Sequence, residues 1–161
     1  MTSELPVIYP PHPNPRKPKF ALPPDTCDSH FHIFGPPDRF PYAPTRVYTP
    51  PAAPLEHFFN LMEVLGTERG VVVQPNAHGL DNKVTLDAIA RSGGRFRGVA
   101  KLDDTFSDGD LEKLHEGGIR GVRFNLIAEL SGKPNLPMYK RVIERITPLG
   151  WSITLHMLPP E

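Results

Sequence analysis

The chain has one cysteine, no excess of charge of either sign and no long apolar run, and each lack removes a class of function. A lone Cys27 excludes an internal disulfide, so a reducing cytoplasm is the expected compartment. Basic and acidic side chains number 18 each, and no Lys/Arg cluster stands on a helix face. The attraction that drives nucleic-acid binding is therefore missing. Apolar runs such as Gly70-Val71-Val72-Val73 fall far short of the roughly 20 residues a membrane span requires. The N-terminus shows no basic patch followed by an apolar stretch of signal-peptide length. Nucleic acid and membrane are thus set aside as partners. A phosphate-binding glycine loop is also missing: after the first strand-like run the chain reads Phe34-Gly35-Pro36-Pro37-Asp38, with two prolines where a helix N-terminus would hold a phosphate. That disfavours a dinucleotide fold.

What is present is enough for one domain with a core: 161 residues, 39% hydrophobic and 9% aromatic. Residues 1–24 are dense in proline (Pro6, Pro10, Pro11, Pro13, Pro15, Pro18, Pro23, Pro24) and lack apolar periodicity. They read as an extended arm, lying over the body or loose in solvent, with a Pro-rich ligand for a partner domain as an alternative. From residue 25 to 161 strand-like and helical patterns alternate. Strand-like runs fall at 26–34, 70–76, 96–102, 119–126 and 152–157, and the order predicts βαβ units with a parallel sheet.

Four helices separate these runs. Leu55, Phe58, Phe59, Met62 and Leu65 form one apolar stripe with Gly66 as its stop. Asp81 or Asn82 is the expected cap of a second helix carrying Val84, Ala88 and Ile89 and ending at Gly93-Gly94. Ser107 with Asp110 has capping-box spacing ahead of Leu111 and Leu114. Asn135 and Pro137 open a fourth helix with Met138, Val142, Ile146 and Leu149 on one face. Right-handed crossovers then leave an open doubly wound sheet or part of a (β/α)₈ barrel.

In either fold chemistry sits at the C-terminal strand ends, and the unusual polar residues gather there. They are His30 and His32, then Gln74, Asn76 and His78, then Lys101, then Arg123 and Asn125, and finally His156. In a strand, His30 and His32 share a face, which suits a divalent metal or a polar substrate; hydrogen bonding inside a polar barrel mouth is the plainer alternative. Cys27 has the opposite parity and reads as a small buried filler. Arg123 is costly to bury without a carboxylate, which comes either from a substrate or from an internal Asp or Glu. Tyr48 lies in the loop after the first strand, where it either bonds a substrate oxygen or packs over the mouth. His78 reads as a loop-ordering residue, His57 and His115 as solvent-facing helix residues, and His12 as part of the arm.

Several motifs occur in order: Asp28-Ser29-His30-Phe31-His32-Ile33-Phe34-Gly35, Phe40-Pro41-Tyr42-Ala43-Pro44, Tyr48-Thr49-Pro50, Val71-Val72-Val73-Gln74, His78-Gly79-Leu80-Asp81-Asn82, Arg97-Gly98-Val99-Ala100 and Gly118-Ile119-Arg120-Gly121-Val122-Arg123-Phe124-Asn125. From about residue 23 to the end the chain resembles the amidohydrolase-related (amidohydrolase 2) family, in the branch of the 2-pyrone-4,6-dicarboxylate lactonases. The resemblance implies a TIM-type (β/α)₈ barrel hydrolase that opens a lactone or ester by attack of water on a carbonyl. It implies His30 and His32 as the catalytic first-strand pair, Arg123 as a substrate-carboxylate clamp, and Tyr48, Asn76 and His156 beside the substrate. The wider superfamily uses Zn²⁺ or Mn²⁺, which His30 and His32 would hold, whereas this branch works without a metal. Both readings stay open.

The resemblance has two local departures. Glu129 stands where the dicarboxylate lactonases carry a second arginine, and His156 where they carry a tyrosine. An anion in place of a cation repels a second substrate carboxylate, so a lactone or ester with one carboxylate, or a sugar-acid lactone, is the expected substrate. A whole barrel takes about 250 residues, and the family's later histidine and its general-base aspartate match nothing in these 161. The expectation is a barrel truncated after about five strands and inactive or nearly so by itself. Its exposed edges would favour self-association. The competing readings are a metal-dependent decarboxylase or deaminase of the same superfamily, and a non-catalytic remnant acting through its arm.

Overall fold

Short runs of β-branched and aromatic residues alternate with amphipathic segments, and they form parallel strands and helices in turn. The computed structural model describes residues 8–130 and 134–158. The elements are β1 (Cys27–Phe31), α1 (Leu55–Leu65), β2 (Arg69–Val73), α2 (Lys83–Arg91), β3 (Phe96–Ala100), α3 (Asp108–Glu116), β4 (Ile119–Asn125), α4 (Leu136–Ile146) and β5 (Ser152–His156). Sheet order follows chain order, and every pairing is parallel. The result is the α/β half-barrel the pattern predicts.

The strands stop earlier than their apolar runs. β2 ends at Val73 because Pro75 has no N–H to donate to a ladder, and Asn76–His78 form a single 3₁₀ turn instead. Gly66 ends α1 in the left-handed region, with φ 83° and its N–H on Met62 O. Ser107 and Asp110 cap α3 reciprocally: Ser107 Oγ accepts from Asp110 N–H at 3.2 Å, and Asp110 Oδ2 accepts from Ser107 N–H at 2.9 Å. Asn135 Oδ1 caps α4 through Met138 N–H.

Other expectations need correction. Of the two expected caps of α2, Asp81 takes the role, its Oδ1 accepting from Lys83 N–H at 3.2 Å, while the Asn82 side chain caps nothing there because it is committed to Lys101. Leu149 lies beyond α4, in a 3₁₀ turn over Thr147–Leu149. Cys27 is exposed, since it begins an edge strand ahead of the helix layer and Phe31 takes the packing position instead. His115 is not simply solvent-facing: it stacks on Trp151 and accepts that indole's N–H at 2.9 Å.

The core between sheet and helices is aromatic at its β1 end. Phe31 stacks on Phe58 of α1 at 3.5 Å between centroids and meets Phe96 edge-on at 5.1 Å. This contact pins β1 to α1 and turns its alternate side chains to the opposite face. Residues 8–24 form neither helix nor strand; Pro11, Pro13 and Pro15 border a groove with Pro54, Phe58 and Leu61. Pro6 falls outside the described residues. Among the described residues no helix is long and apolar enough to cross a membrane.

Candidate active site

The C-terminal strand ends surround a cavity of about 510 Å³. All six residues singled out for chemistry (His30, His32, Tyr48, Asn76, Arg123 and His156) line it, together with Ile8, Val47, Glu129 and Leu130. β1 supplies His30, with His32 one residue past the strand, and their rings meet edge-to-face at 5.1 Å. β4 supplies Arg123 and β5 His156; the register pairs Arg123 with Thr154, so His156 shares its face one pleat further on.

Hydrogen bonds fix which atoms face the cavity. His32 Nδ1 lies 2.7 Å from Val73 O, and a carbonyl only accepts, so Nδ1 carries the proton and Nε2 keeps its lone pair. Burial pushes the His32 pKa down to about 4, with the Arg123 charge adding to the effect against the Val73 bond. The ring is neutral at pH 7. Burial first and Arg123 second also lower His30 and His156. Arg123 Nη2 donates to His156 Nδ1 at 2.6 Å, which leaves the proton of that imidazole on Nε2.

Arg123 is 6% exposed, and its Nε, shut off from solvent, has no partner among the described residues. Among the described residues no carboxylate pairs with it, although Glu129 stands in the same wall. A buried guanidinium with an unused donor is costly unless a ligand meets it. Burial raises the Tyr48 pKa, so its phenol is a neutral hydrogen-bonding group. Lys101 Nζ donates to Asn76 Oδ1 at 3.2 Å from behind the wall.

The Amidohydrolase family model (Amidohydro_2) matches residues 27–161. The chain belongs to this amidohydrolase family. It is 43% identical over 143 residues to a 2-pyrone-4,6-dicarboxylate hydrolase of Comamonas testosteroni, a match covering 89% of this chain and 47% of that protein. It is 44% identical over 146 residues to a 4-sulfomuconolactone hydrolase of Hydrogenophaga intermedia, covering 90% and 48%. The crystal structure of a probable 2-pyrone-4,6-dicarboxylic acid hydrolase from Acinetobacter baumannii, with citric acid bound, superposes with a TM-score of 0.74 at 28% identity, covering 83% of this chain and 49% of that one. The chain spans about half the length of the curated relatives it matches.

Divalent metals occur in the amidohydrolase superfamily, and here His30 and His32 would be the ligands. The described residues by themselves do not fit such an ion. No group of three potential ligands forms among them. Asp28 turns its carboxylate to His30 N–H at 3.0 Å, His156 gives its Nδ1 to Arg123, and the Arg123 charge already opposes further positive charge on both rings.

Other polar residues expected near the strand ends are structural. Gln74, fully buried, donates to Gly79 O and Asp81 O and accepts from Thr85 Oγ1. Asn125 holds the following turn through Leu130 O and Ile127 N–H. His78 orders its loop as expected: Gly35 N–H donates to its Nε2, so its Nδ1–H donates to Pro41 O. Ile8, Val47 and Leu130 in the cavity wall carry no chemical motif, and no sequence signal singles them out.

Proposed function

We propose that this half-barrel carries the substrate-binding side of a lactone hydrolase for small carboxylic acids, in a reducing cytoplasm. The observation behind this reading is Arg123, buried and without a carboxylate partner among the described residues, in a cavity whose imidazoles and phenol are neutral. A substrate carboxylate supplies the missing partner. In the reaction a water oxygen bonds to the lactone carbonyl carbon, the ring C–O bond breaks, and a proton passes from the water to the departing oxygen. His156 Nε2–H and the Tyr48 phenol stand as donors to substrate oxygens. His32 accepts through Nε2, but a pKa near 4 makes it too weak a base to take a proton from water at pH 7. It orients water or substrate.

Glu129 in the wall sets the charge of the ligand. It disfavours a second carboxylate, so a lactone with one carboxylate, or a sugar-acid lactone, is the substrate of this reading. Open edges at β1 and β5, with Ile153 and Leu155 exposed, make self-association part of the same reading. The gene product isolated from its source cells should open the ring of muconolactone, a lactone with one carboxylate, and spare its methyl ester. Equal hydrolysis of acid and ester, or of neither, rejects the proposal.

A further inference from the structure

Lys101 follows the last residue of β3 and stands behind the cavity wall rather than in it. Its peptide is clasped on both sides by one side chain: Asn82 Oδ1 accepts from Lys101 N–H and Asn82 Nδ2 donates to Lys101 O, each at 3.0 Å. Asn82 is itself buried, so the clasp is dry and the strand end is fixed. Lysines ordinarily extend their ammonium to water. This one turns inward, with Nζ 3.2 Å from Asn76 Oδ1 and no acidic partner among the described residues. Burial and the Arg123 charge both act against its protonation.

The contact decides what Asn76 offers to the cavity. An asparagine amide presents a donor on one side and an acceptor on the other. Here Oδ1 is taken by Lys101, while Nδ2 has no partner among the described residues. We infer that Lys101 is a positioning residue, which holds Asn76 so that its NH₂ group serves a substrate oxyanion as a donor. This rests on the reading of the cavity as an anion site. With the Arg123 guanidinium and His156 Nε2–H, it gives the wall three donors from three elements, and Lys101 adds positive charge behind them.

Muconolactone titrated into the chain, followed by chemical-shift changes, tests the inference. Lys101→Met and Asn76→Ala should each weaken binding about tenfold, the value of one hydrogen bond to a charged ligand. If Lys101 acts through Asn76, the double variant binds no more weakly than the weaker single one. Lys101→Arg, which keeps charge and donor, should bind like the parent, and so guards against a general loss of fold. Lys101→Met binding like the parent, or a double variant whose loss is the product of the two single losses, overturns the inference. Failure of the anion-site reading has a different signature: Arg123→Met then binds muconolactone as the parent does, and the role of Lys101 falls with it.

Discussion

Arg123 Nη2 donates to His156 Nδ1 at 2.6 Å, so a guanidinium buried on β4 takes a neutral imidazole on β5 as its partner. An imidazole neutralises nothing. The charge is left to attract an anion, and the bond places the His156 proton on the nitrogen that remains for a ligand.

Stability and binding should therefore diverge at Arg123. Replacing an unpaired buried charge with an apolar side chain removes a desolvation cost. Arg123→Met should keep or raise the thermal midpoint while muconolactone affinity falls about ten- to a hundredfold. Calorimetric melting beside a binding titration checks both. A large loss of stability would mean the guanidinium holds the fold together.

Acid should destabilise the protein in a defined window. His32 titrates near 4 when folded against an ordinary 6.5, so between those values the unfolded chain binds the extra proton. Stability then rises with pH across the window; it is fully present above about 6.5 and lost as pH falls toward 4. This group alone accounts for about 3 kcal/mol, and His30, His78 and His156 act in the same direction. Urea unfolding at pH 7.5, 6 and 5 should show the decline, and His32→Asn should flatten it.

Glu129 should act on ligand charge. Glu129→Gln removes the anion from the cavity wall, so 2-pyrone-4,6-dicarboxylate should gain affinity by more than muconolactone does. Parallel titrations of the two ligands measure the ratio. An unchanged ratio would place Glu129 outside the ligand's field.

Gln74 should matter for stability rather than chemistry. It is fully buried and its amide meets three partners around the β2–α2 connection. Gln74→Leu strands those groups and should cost about 3 kcal/mol in urea unfolding. A cost below about 1 kcal/mol would show that the loop satisfies itself another way.

The parts of this fold that follow from local rules are readable in the residues. Period 3.6 marks Leu55, Phe58 and Met62 as one buried stripe, and the Ser107/Asp110 spacing forms the reciprocal cap it signals. His30, His32, Arg123 and His156 meet because strand parity and a parallel sheet send alternate side chains to one face. What depends on long-range packing is not readable. The Asn82 clasp on Lys101 spans nineteen positions and competes with a helix-capping role that spacing alone favours. Trp151 reaches His115 across thirty-six, and Cys27 is exposed because of where the helix layer begins. Strand parity therefore makes legible which residues share the cavity wall, and leaves illegible the groups that hold them.

The Arg123 guanidinium is the group on which the account turns. Its resonance, followed while muconolactone and then the methyl ester of muconolactone are added, tests the anion site directly. A large saturable shift with the acid and none with the ester is the expected result. Equal responses to both, or no response to the acid, would contradict a carboxylate seated on Arg123.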